Sequence, residues 1–410
     1  MAKRVTTLAR QILCESVDGS SDICPGYEEG LDRNWTGNVY FYGEAKQPSS
    51  LEELQATVRE GVGPIRVVGR GHSFSPVAEC AGGTLISLWK MRKILSFNPP
   101  TGDHHGSITV EGGATYTDII QFLGNRGALR NLPSCPQFTV AGAIATGTHG
   151  SGLHIQNLAA DVKGIEFVTA DGSLVSYSRE SSRQTLEGCR VHLGCLGVVS
   201  KLTLDVVAFY EVESFRYESV PLQQVIDGLP ELYQSCDSLS VWSSGYENGV
   251  GAGLCWVVFR YFTPPHFETS LAAVPHKQPP AMNGGVLCNP GHAVLRYCSD
   301  GSLSMPTTGK RPWYDALTQT MESAQETMMV ATDLQAEFFV PLSEARAAMR
   351  TVQDVARDWH FSIPQGSWVW SDKLKSWVPP KGVDQPRGLV DAMEFRQVKG
   401  DGAWLSPQPV

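Results

Sequence analysis

Apolar residues along this chain come in short runs broken by glycine, proline and polar turns. The periodicity of these runs predicts the elements. Pro48 to Leu54 announces a helix: Ser50 is the expected N-cap, and Glu53 three residues on completes a capping box. Leu51, Leu54 and Val58 supply its apolar face. Ile65 to Val68 reads as a buried strand, followed by strands at Gly83 to Leu88 and, with alternating pattern, Ser107 to Gly113. Tyr116 to Leu123 is helical through Ile119, Ile120 and Leu123. Ile165 to Tyr177 is a hairpin around Asp171-Gly172. Arg190 to Val199 is a glycine-containing apolar segment that feeds the alternating strand Ser200 to Val206. Short helices among several strands predict an α+β or mixed α/β fold, not a bundle.

The texture changes near residue 210, where glycine motifs thin out and Trp and Pro become frequent. The expected division is a lead-in over 1–33, a first domain over 34–210 and a second over 211–410. In the second, Pro264 to Pro306 reads as loops, and Lys310-Arg-Pro-Trp-Tyr314 precedes a helix. Leu334 to Pro341 reads as a strand with Glu337 on one face. Ser343 to Asp358 reads as an amphipathic helix capped by Ser343, with Ala345, Met349, Val352 and Val355 on one side. Ala392 to Val398 is the last expected strand. No internal repeat is visible.

Composition narrows the class. The 410 residues are 42% apolar and 18% charged, with a net charge of −9, long enough for one large or two medium domains. The acidic balance and the lack of a Lys/Arg cluster argue against nucleic acid as a partner. It suits a protein that acts on neutral or weakly charged small molecules. No apolar run approaches the ~18 residues of a membrane span, and no secretory signal opens the chain. These absences predict a cytoplasmic location. Asn34-Trp35-Thr36 matches a glycosylation sequon without that context. The 10 cysteines contain no Cys-x-x-Cys pair, which argues against zinc and thioredoxin-type chemistry. They read as reduced, mostly buried small hydrophobes.

Three stretches can carry chemistry. Gly69-Arg70-Gly71, at the end of the first strand, is followed by His72 and Ser73. It reads either as a tight turn or as a donor array for phosphate. Asn131 to Gly152 is dominated by small residues, with hydroxyls at Ser134, Thr139, Thr146, Thr148 and Ser151. It reads either as close packing or as a wall against which a large group lies. Glu394 and Arg396 are two apart on a strand and share a face. They read as a solvated ion pair or as a clamp for hydroxyls.

Together these stretches resemble the FAD-binding domain of the vanillyl-alcohol-oxidase type, the PCMH-type fold. The matching residues are Val68 to Phe74, Val110 to Tyr116, Thr139 to Gly152, Val168 to Gly172 and Val191 to Val199. Within that family the chain resembles sugar-1,4-lactone oxidases and alditol oxidases. Asn34 to Asn38 resembles their opening, and Met393 to Arg396 with Trp404 to Pro407 resembles their substrate-side strand. The resemblance implies a two-subdomain FAD-binding domain followed by a sheet-plus-helix cap domain. It implies FAD attached covalently through His72, whose neutral nitrogen can attack the flavin C8-methyl when that position is electrophilic. Val68, Gly69, Arg70, Gly71 and Ser73 would form the pyrophosphate turn. Ser134, Thr139, Gly142, Ala143, Ala145, Thr146 and His149 would line the wall facing pyrophosphate and isoalloxazine, with Ser134 also close to substrate. Gly194, Gly197 and Val199 would face adenine. Glu394 and Arg396 would face the flavin and hold substrate, and Arg396 would stabilise charge on reduced flavin. The implied partners are a polyol or aldonolactone and O2, and no metal ion is implied.

One departure qualifies the activity. Members of the family continue past the Leu-Ser-Pro region, carrying a histidine, a hydroxyl residue and a lysine after a His-Trp pair. Here Trp359-His360 has the reverse order and comes early, so the C-terminus is expected to be shortened, leaving an exposed sheet edge. Three activities stay open: an oxidase giving H2O2, a dehydrogenase passing electrons to a cytochrome or quinone, and a flavin-binding protein without turnover. Pro133 sits where relatives tune oxygen access to the flavin.

Overall fold

The computed structural model describes residues 33–34, 38–42, 45–102, 104–244, 253–263, 279–287, 308–318, 336–358, 369–371, 376–378 and 392–400. The expected loops over 264–278 and 288–306, Trp35 to Gly37, Trp359-His360 and the Trp404 to Pro407 segment lie outside them.

Helix α1 (Leu51–Glu60) starts where Ser50 accepts a hydrogen bond from the Glu53 N–H at 3.2 Å. The reciprocal half of the expected box is displaced: Glu53 Oε2 accepts from the N–H of Ser49, not of Ser50, at 2.8 Å. Strands β1 (Ile65–Val68) and β2 (Thr84–Ser87) pair in parallel, joined through the glycine turn. Leu54 and Val58 of α1 pack on Ile86, Leu88, Val168 and Val198, which ties this small unit to the larger sheet beside it.

That sheet is antiparallel. It comprises β3 (Ile94–Asn98), β4 (Gly106–Glu111), β5 (Val162–Val168), β6 (Leu174–Ser178) and β7 (Val198–Val206), in the order β3-β4-β7-β5-β6. β5 and β6 form the hairpin expected around Asp171-Gly172. β3 was not legible, because only Ile94 and Phe97 of its five residues turn inward. Helix α2 (Tyr116–Leu123) has a complete capping box between Thr115 and Asp118. A short helix α3 (Val140–Ala145) lies inside the small-residue run, and α4 (Arg183–Cys189) precedes β7. Ile108, Val110, Ile119, Leu123, Ile144, Phe167, Leu202 and Leu204 form the core. Tyr210, Val212, Phe262 and Trp313 join this core from later in the chain.

The second sheet is also antiparallel. It comprises β8 (Glu211–Pro221), β9 (Ser238–Ser244), β10 (Leu254–Thr263), β11 (Val286–Leu287), β12 (Gly309–Pro312) and, at one edge, β15 (Ala392–Arg396). Strands β13 (Val369–Ser371) and β14 (Ser376–Val378) form a separate pair. Helices α5 (Leu222–Asp227), α6 (Leu229–Gln234) and α8 (Ala345–Asp358) cover one face, and α7 (Trp313–Leu317) follows β12. On the covered face Leu239, Val241, Val257 and Phe259 meet Val225, Ile226, Leu229 and Met349. Period-2 alternation puts Ser214, Arg216, Ser238, Ser240, Arg260, Glu394 and Arg396 on the other face. Two expectations fail at α8. Ser343 lies inside a 3-10 turn (Leu342–Glu344) that follows Pro341 and caps nothing, and Val355 is 44% exposed, beyond the reach of the sheet. The expected strand over Leu334 to Pro341 is irregular from 336 onward, because its backbone pairs with neither sheet. Leu334 and Gln335 lie outside the described residues.

Among the described residues no helix is long and apolar enough to cross a membrane. Five of the described cysteines are buried, and Cys195 is exposed.

The two halves are stitched together by backbone. Gly152 pairs in parallel with Val398, and its N–H donates to the Gln397 carbonyl at 2.8 Å. Lys399 N–H donates to the Ile155 carbonyl at 2.9 Å. Gln156 Nε2 reaches the Gly400 carbonyl at 2.8 Å. This places the end of β15 beside the end of the small-residue run.

Ile108 of β4 is fully buried in the first core. Ile108→Ala is expected to cost roughly 2–5 kcal/mol through lost burial and a residual cavity. A denaturant titration should show a lower midpoint at unchanged slope; an unchanged midpoint would mean that this core is not packed as described.

Candidate active site

The glycine turn after β1 forms one wall of a cavity of about 550 Å3, a size typical of ligand sites. Gly71 has φ +67°, a backbone conformation that side-chain-bearing residues rarely adopt. At Gly69 a Cβ would lie 2.3 Å from Thr139 Oγ1, so only glycine lets the turn approach the start of α3 this closely. Val68, Gly69, Arg70, Gly71, His72 and Ser73 all line the cavity.

Arg70 and His72 are held differently. The Arg70 guanidinium lies 4.8 Å from the centre of the Trp89 ring, and Arg92 lies 4.3 Å from the same ring. Arg92 in turn donates to Asp118, the acidic member of the α2 capping box, at 2.6 Å. A helix cap is thereby linked through an aromatic ring to the phosphate-type turn. The His72 ring packs on Phe138 with centroids 4.6 Å apart. Burial first, and then the neighbouring Arg70 charge, lower its pKa to about 3. His72 is therefore a neutral imidazole at neutral pH, with a lone pair on one ring nitrogen.

The opposite wall comes from the small-residue run. Ser134, Thr139, Gly142, Ala143, Ala145, Thr146 and His149 line the cavity, as do Gly194, Gly197 and Val199. Thr139 is the first residue before α3, and Thr146 Oγ1 turns back to the Gly142 carbonyl at 3.0 Å. Leu193 (φ 53°) lies in the left-handed region, and its N–H donates to the Ala145 carbonyl at 2.9 Å. The adjoining His192, which the sequence did not single out, also lines the cavity. Its Nδ1 accepts from the Gly194 N–H at 3.1 Å, and burial lowers its pKa to about 4.

The third wall is polar. Arg396, from the uncovered face of the second sheet, lines the cavity, whereas Glu394 does not. Glu394 stands opposite Trp242 on β9, with Oε2 3.7 Å from Arg396 Nη1. Among the described residues the carboxylate at the cavity is Glu337, from the irregular segment before α8. It accepts from Arg396 Nη2 at 2.5 Å and lies 3.4 Å from His149 Nε2, an ion-pair distance rather than a well-formed hydrogen bond. Nδ1 of His149 donates to the Gly150 carbonyl at 2.8 Å, since a carbonyl can only accept. Phe339 meets the His149 ring edge-on at 5.4 Å. Burial works to raise the Glu337 pKa, but His149 and Arg396 outweigh it and hold the pKa down to about 2. Burial works to lower the Arg396 pKa, but Glu394 and Glu337 outweigh it and raise the pKa. The sequence pattern placed Glu337 on a strand face. Its pairing with two residues distant in sequence had no local signal.

Every residue expected at the cofactor thus lines one cavity, with Ser134 and Arg396, while Glu394 stands behind Arg396. The glycine cradle, the cation beside it and the neutral His72 suit a dinucleotide with a heterocycle. Comparison with known proteins agrees. Residues 45–178 match the FAD binding domain family. The chain is 33% identical to L-gulonolactone oxidase of Bos taurus over 214 residues, 50% of this chain and 46% of that protein. It is 27% identical to alditol oxidase of a Streptomyces species over 386 residues, 91% of this chain and 78% of that protein. The matched region thus spans under half the length of the bovine relative. A structure of xylooligosaccharide oxidase from Myceliophthora thermophila C1, with xylobiose, has the same fold. The TM-score is 0.55 at 14% identity, covering 87% of this chain and 73% of the other. The chain carries an FAD-binding domain of the PCMH-type fold and is related to oxidases of sugar lactones and alditols.

Two predictions follow from the walls. In Gly69→Ala the new Cβ collides with Thr139 Oγ1, so the flavin-to-protein absorbance ratio should fall, and adding Thr139→Ala should restore part of it. No change in Gly69→Ala would show that the turn tolerates separation from α3. The second concerns pH. His192 titrates near 6.5 in the unfolded chain and about 4 in the fold. Between these values the unfolded chain binds more protons, so stability falls as pH drops through that window and is unaffected above it. His192→Asn should lose thermal stability less steeply from pH 6.5 to 4; an equal slope would mean that His192 is protonated as easily folded as unfolded.

Proposed function

We propose that this chain is an FAD-dependent oxidoreductase that oxidises an alcohol carbon of a sugar-1,4-lactone or alditol, with O2 as electron acceptor and H2O2 as product. The observation that carries the reading is that the glycine turn, the small-residue run and the polar face of the second sheet line a single cavity. Residues 34–210 would form the cofactor domain and 211–410 the substrate domain, and the chain would act in the cytoplasm.

FAD, when bound, supplies the hydride acceptor and, on reoxidation by O2, the peroxide. The chain supplies the rest. Backbone N–H groups of Gly69 to Ser73, with the Arg70 charge, would hold the pyrophosphate. Half-buried and neutral, His72 keeps the lone pair that a bond to an electrophilic flavin C8-methyl requires. Thr139 and the run from Gly142 to His149 would lie against the cofactor, and Gly194, Gly197 and Val199 would face its adenine half. Arg396 binds substrate hydroxyls and stabilises negative charge at the flavin edge. Glu394 sets the orientation of that guanidinium from behind, and Ser134 offers a hydroxyl on the opposite wall.

The test begins with acid denaturation of the purified protein, which should leave yellow, fluorescent flavin on the polypeptide. His72→Ala should release all of it. Complete release from the parent chain would overturn the covalent link while leaving FAD binding intact. A panel of alditols and aldonolactones should then bleach the flavin under nitrogen and release H2O2 in air. Bleaching with electrons passed only to an artificial acceptor would favour a dehydrogenase. A flavin-loaded chain bleached by no substrate would favour a binding protein without turnover.

A further inference from the structure

We infer that Glu337 is a specificity-determining residue of this site, accepting hydrogen bonds from the hydroxyls of a neutral polyol and excluding sugar acids. The inference rests on the reading of the cavity as a polyol or lactone site, and it adds a residue and a charge preference to that reading. Glu337 is not part of the Glu394/Arg396 strand pair. It reaches the cavity from an irregular segment, with a side chain still 40% exposed.

Its geometry leaves capacity for a ligand. A carboxylate offers about four lone-pair directions. Arg396 occupies one on Oε1, and His149 stands against Oε2. The remaining directions belong to a side chain that lines the cavity. With its pKa held to about 2, the group stays a carboxylate across the working range of the protein. It accepts hydrogen bonds and donates none.

The charge pattern sets the preference. Arg396 is shared between Glu337 and Glu394, at 2.5 and 3.7 Å. Its positive charge is already matched from two sides. A carboxylate on the substrate would meet the Glu337 carboxylate, and the guanidinium beside it is already shared between two carboxylates. Hydroxyls are donors, so an alditol or lactone satisfies Glu337 without that repulsion.

The test compares Glu337→Gln and Glu337→Asp with the parent holoenzyme, using an alditol and the aldonate of the same chain length. The alditol KM and the competitive inhibition constant of the aldonate are measured on flavin-loaded protein. Glu337→Gln is expected to raise the alditol KM about tenfold with kcat little changed, since a hydrogen bond to a charged group is lost. The same variant is expected to bind the aldonate more tightly. Glu337→Asp keeps the charge but shortens the reach, so it should raise the alditol KM while still excluding the aldonate. These shifts in opposite directions would not arise from a structural role, which would weaken both ligands together. Equal changes for both ligands in Glu337→Gln overturn the inference, as does a parent chain that binds aldonate as tightly as alditol. A flavin-loaded parent chain that turns over no polyol or lactone overturns the inference together with the proposed function. Polyol turnover indifferent to Glu337→Gln overturns the inference alone.

Discussion

The approach of Gly69 to Thr139 is the contact on which the cavity depends. The turn after β1 and the start of α3 belong to different units, a two-stranded parallel pair and a five-stranded antiparallel sheet. They meet at a separation where a single methyl group would lie 2.3 Å from a hydroxyl oxygen. The same economy of side chains recurs at Gly113, where a Cβ would lie 1.9 Å from the Leu88 carbonyl oxygen. Walls built this way line the interior with backbone and small residues. That surface suits a large, flat, phosphate-bearing group better than it suits a close-packed core.

Around that backbone the polar groups are arranged in layers. On one side, the α2 capping box holds Asp118, Asp118 holds Arg92, and Trp89 lies beneath both Arg92 and Arg70. On the other, the second sheet buries its apolar face under α5, α6 and α8. It turns serines, arginines and Glu394 the other way. Burial pulls the Arg260 pKa down there, and the nearby Glu394 opposes it. Arg260 meets that cost with hydrogen bonds to the Ser240 hydroxyl at 3.0 Å and the Ser238 hydroxyl at 3.4 Å. A face this polar inside a protein depends on such hydrogen bonds. The end of the strand that carries Arg396 is tied by backbone to Gly152 and Ile155, just beyond His149. That stitch sets the end of β15 beside the stretch that carries His149, and Glu337 reaches both His149 and Arg396.

Much of this was legible from residue order. Helix α2 and the β5–β6 hairpin follow from local periodicity and turn chemistry, and both form where the pattern places them. Failures occurred where tertiary contacts decide. Ser343 has the right residue type for a cap, but Pro341 and a 3-10 turn precede α8 and leave it no role. The apolar segment from 336 to 341 reads as a strand, yet among the described residues no sheet edge receives it. β3 turns few residues inward, so its pairing with β4 decided its conformation.

The turn at Gly71 was legible from sequence alone, because a glycine at positive φ is a local property of the backbone. So was the sharing of a face by Glu394 and Arg396, because strand periodicity is fixed at two. Whether those faces meet a cavity depends on contacts between residues hundreds of positions apart, and only the folded chain supplies them. It set Arg396 at the cavity and Glu394 behind it. It also brought Glu337 into a position between His149 and Arg396. A charge acquires its function from the charges it is folded against, and no local pattern records those.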